Sequence, residues 1–267
     1  MWLELRSVFD YLSVTPTVRA VLLSGAGPKA FTSGLDVLAA SQSGVLAHQN
    51  DKDIDTARFA TKIRRHIFEI QACISAVERC EKPVICVLHG YALGLAIDLS
   101  VCADVRVCEK ETKFAVKEVD IGIAADVGTL SRLPKVVGSQ SWVKEVSLTG
   151  RVFGAEEAMR VGYVSFVGDG KENTVEEALK IAGAIAGKSP VAVQGTKELL
   201  NWSRDHSVQD GEYLCHVFGV AYIRKLADAS VGLRYTGIWN SAMLQSNDVS
   251  SAMMAGMKKK VARFEKL

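Results

Sequence analysis

The sequence predicts an α/β protein built around a largely parallel sheet. Short apolar runs at residues 17–24, 84–88 and 105–107 are typical of strands, and stretches with helical periodicity at 1–12 and 53–80 alternate with them. Such alternation favours a layered fold in which helical crossovers join parallel strands. With 267 residues, 48% of them hydrophobic, the chain suits one globular domain, or one domain with an appendage.

The N-terminal segment begins with a predicted helix. It places five apolar residues at helical spacing: Trp2, Leu5, Val8, Phe9 and Leu12. The β-branched run at 17–24 follows Pro16 and precedes a Gly/Pro-rich turn, so we expect a strand there. Small and polar residues at 40–52 predict a loop.

The middle of the chain predicts a long helix, a buried strand and a short helix. Residues 53–80 carry apolar side chains on one face, and a Lys-Pro pair ends the pattern. The continuous apolar run at 84–88 predicts a buried strand. Gly90 and Gly94 then predict a turn into a helix that carries Asp98.

The last third is predicted to be mostly helical. Residues 154–161 predict a short helix. Thr174 and Glu177 have the spacing of a capping box, which predicts a helix start at Thr174. Ser189 followed by Pro190 predicts the start of another helix, because Ser caps helices and Pro suits their first position.

Composition and charge exclude several classes of function. A formal net charge of +2 gives no reason to expect a nucleic-acid partner. No apolar run reaches the roughly 18 residues that a membrane span requires, so no membrane partner is expected. Six cysteines lie mostly within apolar patterns without a CxxC pair, which predicts reduced core residues and neither metal sites nor disulfides.

Three acidic residues stand out because their neighbours in the sequence are mostly apolar. Asp98, Glu118 and Asp126 are set among Leu, Ile, Val and Ala. Burial disfavours the charged form of a carboxyl group and raises its pKa, which is how proteins make groups that exchange protons. The sequence therefore predicts a proton-transfer site in residues 89–132.

The order of these segments resembles the enoyl-CoA hydratase/isomerase (crotonase) superfamily. The resemblance rests on FTSGLD, KPVICVLHGYALGLAIDL, CADVRV, FAVKEVDIG and LTGRVFGAEEAMRVGYV, and covers about residues 1–211 and again from 233. VKEVDIGIAADVGTLSRLPKVVGSQS and LRYTGIWNSAMLQSND are most similar to the dienoyl-CoA isomerases within it. The resemblance implies a crotonase (ClpP-like) spiral of strand–strand–helix units in two sheets, with a C-terminal helical oligomerisation region.

The resemblance also implies a reaction and its residues. It implies conversion of 3,5-dienoyl-CoA to 2,4-dienoyl-CoA in β-oxidation, with Glu118 and Asp126 as proton carriers and Asp98 as a third, supporting acid. The oxyanion hole would be formed by the backbone N–H groups of Ser33 and Leu95. The implied substrate-binding residues are Gly34, Leu35, Asp36 and Gly94. The family's usual Gly-Gly-Gly run is here Gly94-Leu95-Ala96, which is a departure at the oxyanion turn.

The same resemblance gives expectations for cofactors and partners. The reaction needs no metal and no redox cofactor, since coenzyme A is part of the acyl-CoA substrate. Family members assemble as trimers that often pair, which implies a homotrimer or a dimer of trimers. The terminal Glu-Lys-Leu is similar to a peroxisomal Ser-Lys-Leu address, so a peroxisomal or mitochondrial location is expected.

Two alternative functions and several structural roles stay open at this point. An enoyl-CoA hydratase is one alternative, although the position of Asp126 is usually glycine in hydratases. A non-catalytic assembly protein of the same fold is the other. Asp98 could merely bond backbone groups near a helix start, Glu118 and Asp126 could be surface residues, and Asp120 is more simply structural. His89 is interpreted as a packed strand-end residue.

Two further features concern domain organisation. We expect a spiral core at residues 1–200, with the family's N-terminal strands missing, and a C-terminal helical region at 201–267. Residues 212–232 interrupt the family pattern with an apolar, aromatic stretch. They are interpreted either as translated intron sequence or as a genuine insertion that extends the helical tail or covers a subunit contact. A basic run at 258–263 is either a solvated helix face or a contact for the phosphates of coenzyme A.

Overall fold

The chain passes back and forth between two four-stranded sheets in a computed structural model that describes residues 1–36, 55–206, 231–244 and 246–267. The strands are β1 Val21–Ser24, β2 Ala30–Thr32, β3 Val84–Leu88, β4 Tyr91–Leu93, β5 Val105–Glu109, β6 Lys113–Ala115, β7 Phe153–Gly154 and β8 Phe166–Gly168. One sheet has the order β1-β3-β5-β8 and the other β2-β4-β6-β7. Each pass of the chain therefore adds one strand to each sheet.

The predicted parallel pairing is confirmed. β1, β3, β5 and β8 pair in parallel throughout, and so do β2, β4 and β6. β7 alone among the described strands pairs antiparallel, with β6. All five residues of β3 are buried, as expected for a central strand covered on both faces.

The helices lie between successive strands and in the C-terminal part of the chain. They are α1 Trp2–Val14, α2 Thr56–Arg79, α3 Leu95–Ser100, α4 Thr129–Val136, α5 Gln140–Thr149, α6 Ala155–Arg160, α7 Gly170–Ala186, α8 Pro190–Asp205, α9 Val231–Met243 and α10 Asn247–Met257. A 3₁₀ helix covers Glu118–Ile121. The predicted long helix is confirmed as α2, which Asp55 caps by accepting from the amides of Ala57 and Arg58. α1 packs against α2.

The chain changes sheets between β3 and β4 within two residues, His89 and Gly90. Gly90 has φ 54° and its amide donates to Glu109 Oε1 over 2.6 Å. A Cβ atom on Gly90 would lie 2.1 Å from the carbonyl oxygen of Lys29. Glycine is therefore required here both by the positive φ and by the closeness of the neighbouring backbone.

Aromatic rings and buried cysteines contribute to the core around the two sheets. Phe114 stacks on Phe153 with ring centroids 5.2 Å apart, and Tyr163 meets Phe114 edge-on at 5.5 Å. The five described cysteines are buried and free: Cys73, Cys80, Cys86, Cys102 and Cys108. This confirms the prediction of reduced core cysteines for these five. Cys215 lies outside the described residues.

Two local predictions are wrong. The first strand covers Val21–Ser24 and not 17–24, because residues 16 and 17 form a turn. Thr174 does not cap a helix start, since α7 begins at Gly170 and the Thr174 hydroxyl donates back to the Gly170 carbonyl over 2.7 Å. Thr174 is fully buried, so the apparent capping box is a packed threonine inside the helix. The prediction at Ser189 is confirmed, since its hydroxyl caps α8.

The chain forms two compact units. One comprises Met1–Thr15, Ala20–Cys80 and Val84–Ala182, and contains both sheets. The other comprises Pro16–Arg19, Glu81–Pro83 and Gly183–Leu267, and is largely helical. A boundary at residue 200 stays a prediction. The interruption at 212–232 lies almost entirely outside the described residues.

Within the helical unit, α9 packs against α8. A Cβ atom on Gly195 of α8 would lie 2.5 Å from Trp239 Nε1. Glycine at this position therefore leaves room for the indole ring. Residues 258–260 and Arg263 are exposed, which leaves both interpretations of the basic run open. None of the described helices is long and apolar enough to cross a membrane.

Candidate active site

The site is organised around the turn at the start of α3. Gly94 precedes α3 with φ 54° and ψ −111°, and its amide donates to the Ala115 carbonyl over 2.9 Å. Leu95 is the first residue of α3 and is buried. The amides of a helix's first turn have no partner within the helix and lie at the positive end of the helix dipole. The Leu95 amide is thus suited to hold developing negative charge.

The turn after β2 lies against this helix start. A Cβ atom on Gly94 would be 3.7 Å from Gly34 Cα, and one on Gly34, which has φ 89°, would be 3.3 Å from the Leu93 carbonyl oxygen. Ser33, Leu35 and Asp36 around Gly34 are exposed. The structure therefore brings together the two segments predicted to form the oxyanion hole.

Asp98 is buried inside α3 and bound by the start of α4. Asp98 Oδ1 accepts from the Thr129 amide over 2.6 Å and from the Thr129 hydroxyl over 2.7 Å. Burial raises the pKa of Asp98, and repulsion from Asp126 raises it further, while the Thr129 hydrogen bonds and the charge of Arg132 act in the opposite direction. This carboxyl group is held firmly in an environment that favours its neutral form.

Glu118 lies half-buried at the start of the 3₁₀ helix, next to the Gly94 turn. A Cβ atom on Gly94 would lie 3.2 Å from Glu118 Oε1. Glu118 Oε2 is buried and has no hydrogen-bond partner in the described part of the chain. Burial raises the pKa of Glu118, and the charges of Asp98 and Asp126 add to the effect. A buried carboxylate oxygen without a partner is costly, so this group is poised to exchange a proton with a bound molecule.

Asp126 is exposed, so the burial that its apolar sequence neighbours indicated is wrong for this acid. It still lies near both other acids. Its charge raises the pKa values of Asp98 and Glu118. The Gln71 side chain on α2 donates to the backbone carbonyl of Asp126 over 2.5 Å. The three predicted acids thus form one electrostatically coupled group in the structure.

Two further residues of α2 hold the same region, and the sequence did not predict them. Arg132 on α4 donates to Glu78 Oε2 over 2.8 Å and to the Ser75 hydroxyl over 2.9 Å. Gln71, Ser75 and Glu78 are spaced four and three residues apart, which places them on one face of α2. That spacing was visible in the sequence, but nothing in it identified the partners 54 to 57 residues away.

The residues interpreted as structural have structural contacts. His89 is buried, with Nε2 3.0 Å from the Gly27 carbonyl oxygen, and burial followed by the charge of Lys171 lowers its pKa. Lys171 itself donates to the Gly25 and Gly27 carbonyls. Asp120 forms an ion pair with Lys117 at 2.7 Å.

Across the described ranges, no group of three or more His, Cys, Asp or Glu residues could hold a metal ion. The expectation of a reaction without metal or redox cofactor stays a prediction.

Comparison with known proteins places these features in context. Residues 1–214 match the family described as enoyl-CoA hydratase/isomerase. A mitochondrial delta(3,5)-delta(2,4)-dienoyl-CoA isomerase from Rattus norvegicus is 40% identical over 100% of this chain and 74% of its own length. A peroxisomal protein of the same name from Arabidopsis thaliana is 39% identical over 100% of this chain and 86% of its own length.

Solved structures confirm the predicted fold. The crystal structure of an enoyl-CoA hydratase from Bacillus anthracis superposes with a TM-score of 0.76 and 25% identity, covering 99% of this chain and 88% of that chain. The α/β spiral with a C-terminal helical region, expected from the order of the sequence segments, is therefore the fold of this chain. Whether the helical region serves oligomerisation stays a prediction.

Proposed function

Because the chain belongs to the enoyl-CoA hydratase/isomerase family, we propose that it isomerises 3,5-dienoyl-CoA to 2,4-dienoyl-CoA in the β-oxidation of unsaturated fatty acids. The observation that carries the proposal is the Glu118 carboxyl group, whose buried Oε2 lacks a partner among the described residues beside the Gly94 turn. Two other acids share its surroundings, and the relatives described above bear the name of this activity.

The first requirement is a place for negative charge on the thioester oxygen. The amides of Ser33 and Leu95 would donate to that oxygen, and Gly34, Leu35, Asp36 and Gly94 would line the acyl thioester. The closeness of Gly34 to Gly94 supports this assignment. Amides fixed in place before the reaction stabilise an oxyanion without reorganising during it. Leu95 replaces the family's usual glycine, but the donor is its backbone, so the side chain does not remove it.

The second requirement is two proton carriers. One carboxylate removes a proton from C2, and the electron pair of that C–H bond spreads over the diene and the thioester oxygen. A protonated carboxyl group then gives a proton to C6, which leaves double bonds at C2 and C4 and no net change in composition. Glu118 and Asp126 would be these two groups. Burial raises the pKa of Glu118 and the charge of Asp126 raises it further, which favours a proton on the Glu118 carboxyl group.

Asp98 would support this proton exchange through its effect on Glu118. It is buried, and when it is ionised its charge adds to the effect of burial in raising the pKa of Glu118. Neither step calls for a metal or a redox cofactor, and coenzyme A enters as part of the substrate. We also propose a homotrimer or a dimer of trimers in mitochondria or peroxisomes, as the family resemblance and the names of the two isomerases suggest.

The direct test mixes the purified protein with a 3,5-dienoyl-CoA and follows growth of the 2,4-dienoyl absorbance. Hydration of a 2-enoyl-CoA is measured alongside, because an enoyl-CoA hydratase is the alternative within the family. Isomerisation with little hydration is the expected result. Hydration without isomerisation would replace the proposal, and folded protein without either activity would favour a non-catalytic assembly role.

A further inference from the structure

Thr129 binds one oxygen of Asp98 twice. Its amide and its hydroxyl lie 2.6 Å and 2.7 Å from the same atom, Asp98 Oδ1. Thr129 has 0% and Asp98 2% of its surface exposed, so bulk solvent does not reach these bonds. An amide N–H can only donate. A proton on Oδ1 would therefore compete with the hydrogen of the Thr129 amide, because that amide cannot accept a hydrogen bond.

We propose that Thr129 is a positioning residue that holds Asp98 Oδ1 as a hydrogen-bond acceptor, so that any proton carried by Asp98 lies on Oδ2. The inference rests on the proposed isomerase function for its meaning in the reaction. It gives the two oxygens of Asp98 different tasks, one fixed to the protein and one available to hold the proton.

Other charged groups around Asp98 make its protonation sensitive to this contact. Burial and, to a smaller extent, the charge of Asp126 favour the neutral carboxyl group, whereas the Thr129 hydrogen bonds and the charge of Arg132 favour the carboxylate. The charge of Asp98 in turn adds to the effect of burial on the pKa of Glu118. The Thr129 hydroxyl is the contribution that substitution can remove while leaving the backbone donor in place.

A purely structural role is the competing explanation. Gly128 precedes α4 and has no side chain to cap it, so Asp98 satisfies an amide that a helix start leaves unpaired. A structural cap alone would affect stability without deciding which oxygen holds the proton. The test must therefore measure the carboxyl group itself.

Infrared difference spectroscopy can report the carbonyl stretch of protonated Asp98, assigned by its loss in Asp98→Asn. Hydrogen bonds to the carbonyl oxygen weaken the C=O bond, so Thr129→Val should move the band to higher frequency. Thr129→Ser keeps the hydroxyl and should leave the band near its original place. Thr174→Val is the matched control, because it removes another fully buried threonine hydroxyl, one that donates to the Gly170 carbonyl.

Isomerase kinetics provide the second readout. Thr129→Val should lower kcat by about tenfold, which is a part of what a positioned acid contributes. It should also move the pH profile of kcat to higher pH, with little change in KM. Thr129→Ser should restore both, and Thr174→Val should change only thermal stability. An unmoved band and pH profile in Thr129→Val, with a lower melting temperature, would overturn the inference. If the wild type has no isomerase activity, the proposed function fails, while the infrared comparison still decides the role of Thr129.

Discussion

The two regions that carry the acids are built in opposite ways. At the junction of α3 and α4, Asp98 is 2% exposed and its Oδ1 accepts two hydrogen bonds, with Arg132 tied to α2 nearby. In the segment from Glu118 to Asp126, a single 3₁₀ turn is followed by residues that are largely exposed, and one Glu118 oxygen has no partner among the described residues. Under the proposed function this difference is a division of labour, in which the junction fixes the electrostatics and the segment meets the substrate.

Substitution of the exposed segment's acids should have the largest effect. Glu118→Gln and Asp126→Asn should each lower the isomerisation kcat by roughly 10²–10⁴-fold, because each would remove a proton carrier. Binding of the coenzyme A ester, measured by calorimetry, should persist. Asp120→Asn is the matched control in the same segment, since Asp120 pairs with Lys117. An equal loss in Asp120→Asn would show that the segment's charge as a whole matters, and not its two proton carriers.

A methyl group at the turn between the two regions should have the next largest effect. Gly94→Ala would place a Cβ atom 3.2 Å from Glu118 Oε1 on a backbone with φ 54°. A side chain in this sparsely populated backbone conformation, with ψ −111°, costs on the order of 1–3 kcal/mol, and the shift of Glu118 adds to it. We expect kcat to fall by about 10–100-fold in the isomerase assay. Gly138→Ala, where a Cβ atom meets nothing within 4 Å, should retain activity.

Loss of the link from α2 to Asp126 should have a smaller effect. Gln71→Met keeps the length of the side chain but removes the donor to the Asp126 carbonyl. A misplaced proton carrier should lower kcat by about three- to tenfold, with KM nearly unchanged. Gln140→Met, at an exposed position on α5, is the control. Unchanged kcat in Gln71→Met would mean that the segment holds Asp126 without help from α2.

The smallest expected effect is a change in the pH dependence of stability, seen as a difference of a few degrees in melting temperature. The raised pKa of Glu118 means that the folded state holds its proton more tightly than the unfolded state does. Its favourable contribution is therefore complete below the ordinary value of 4.5 and is lost as the pH rises through the raised folded value. Glu118→Gln should melt a few degrees higher than the wild type at neutral pH, and the gain should shrink towards pH 4.5. Calorimetric scans across this range would test it, and a pH-independent difference would contradict it.

The parts of the fold that the sequence predicted best are those with long, uninterrupted signals. The run at 84–88 became β3 with the expected limits, and the amphipathic stretch became α2. β2, β4 and β6 have three residues each, which is too short for a period of two to be recognised. Thr174 misled because a buried threonine inside a helix has the same spacing to Glu177 as a true cap.

The candidate site divides along a similar line. Family resemblance singled out Asp98, Glu118 and Asp126, and their apolar surroundings foretold the raised pKa values of Asp98 and Glu118. Thr129 and Gln71 were missed, because a hydrogen bond between residues 31 or 55 positions apart leaves no periodic mark in the chain. Such contacts depend on how the helices pack against each other, and local propensity does not encode that.

The corner at Gly90 has a consequence for how this architecture can vary. Backbone hydrogen bonds on the β4 side of the corner join it to the neighbouring strands of its own sheet: the amide of Tyr91 donates to the Lys29 carbonyl over 3.1 Å, and that of Lys113 to the Gly90 carbonyl over 2.8 Å. The Gly90 amide donates to Glu109 Oε1 on β5, which belongs to the other sheet. A single added methyl group would meet the Lys29 carbonyl oxygen at 2.1 Å, with no flexible side chain to yield. Position 90 therefore admits no side chain unless the Lys29 backbone shifts. Because only β4 and Gly94 separate this corner from α3, such a shift would also move the start of the helix that carries Asp98.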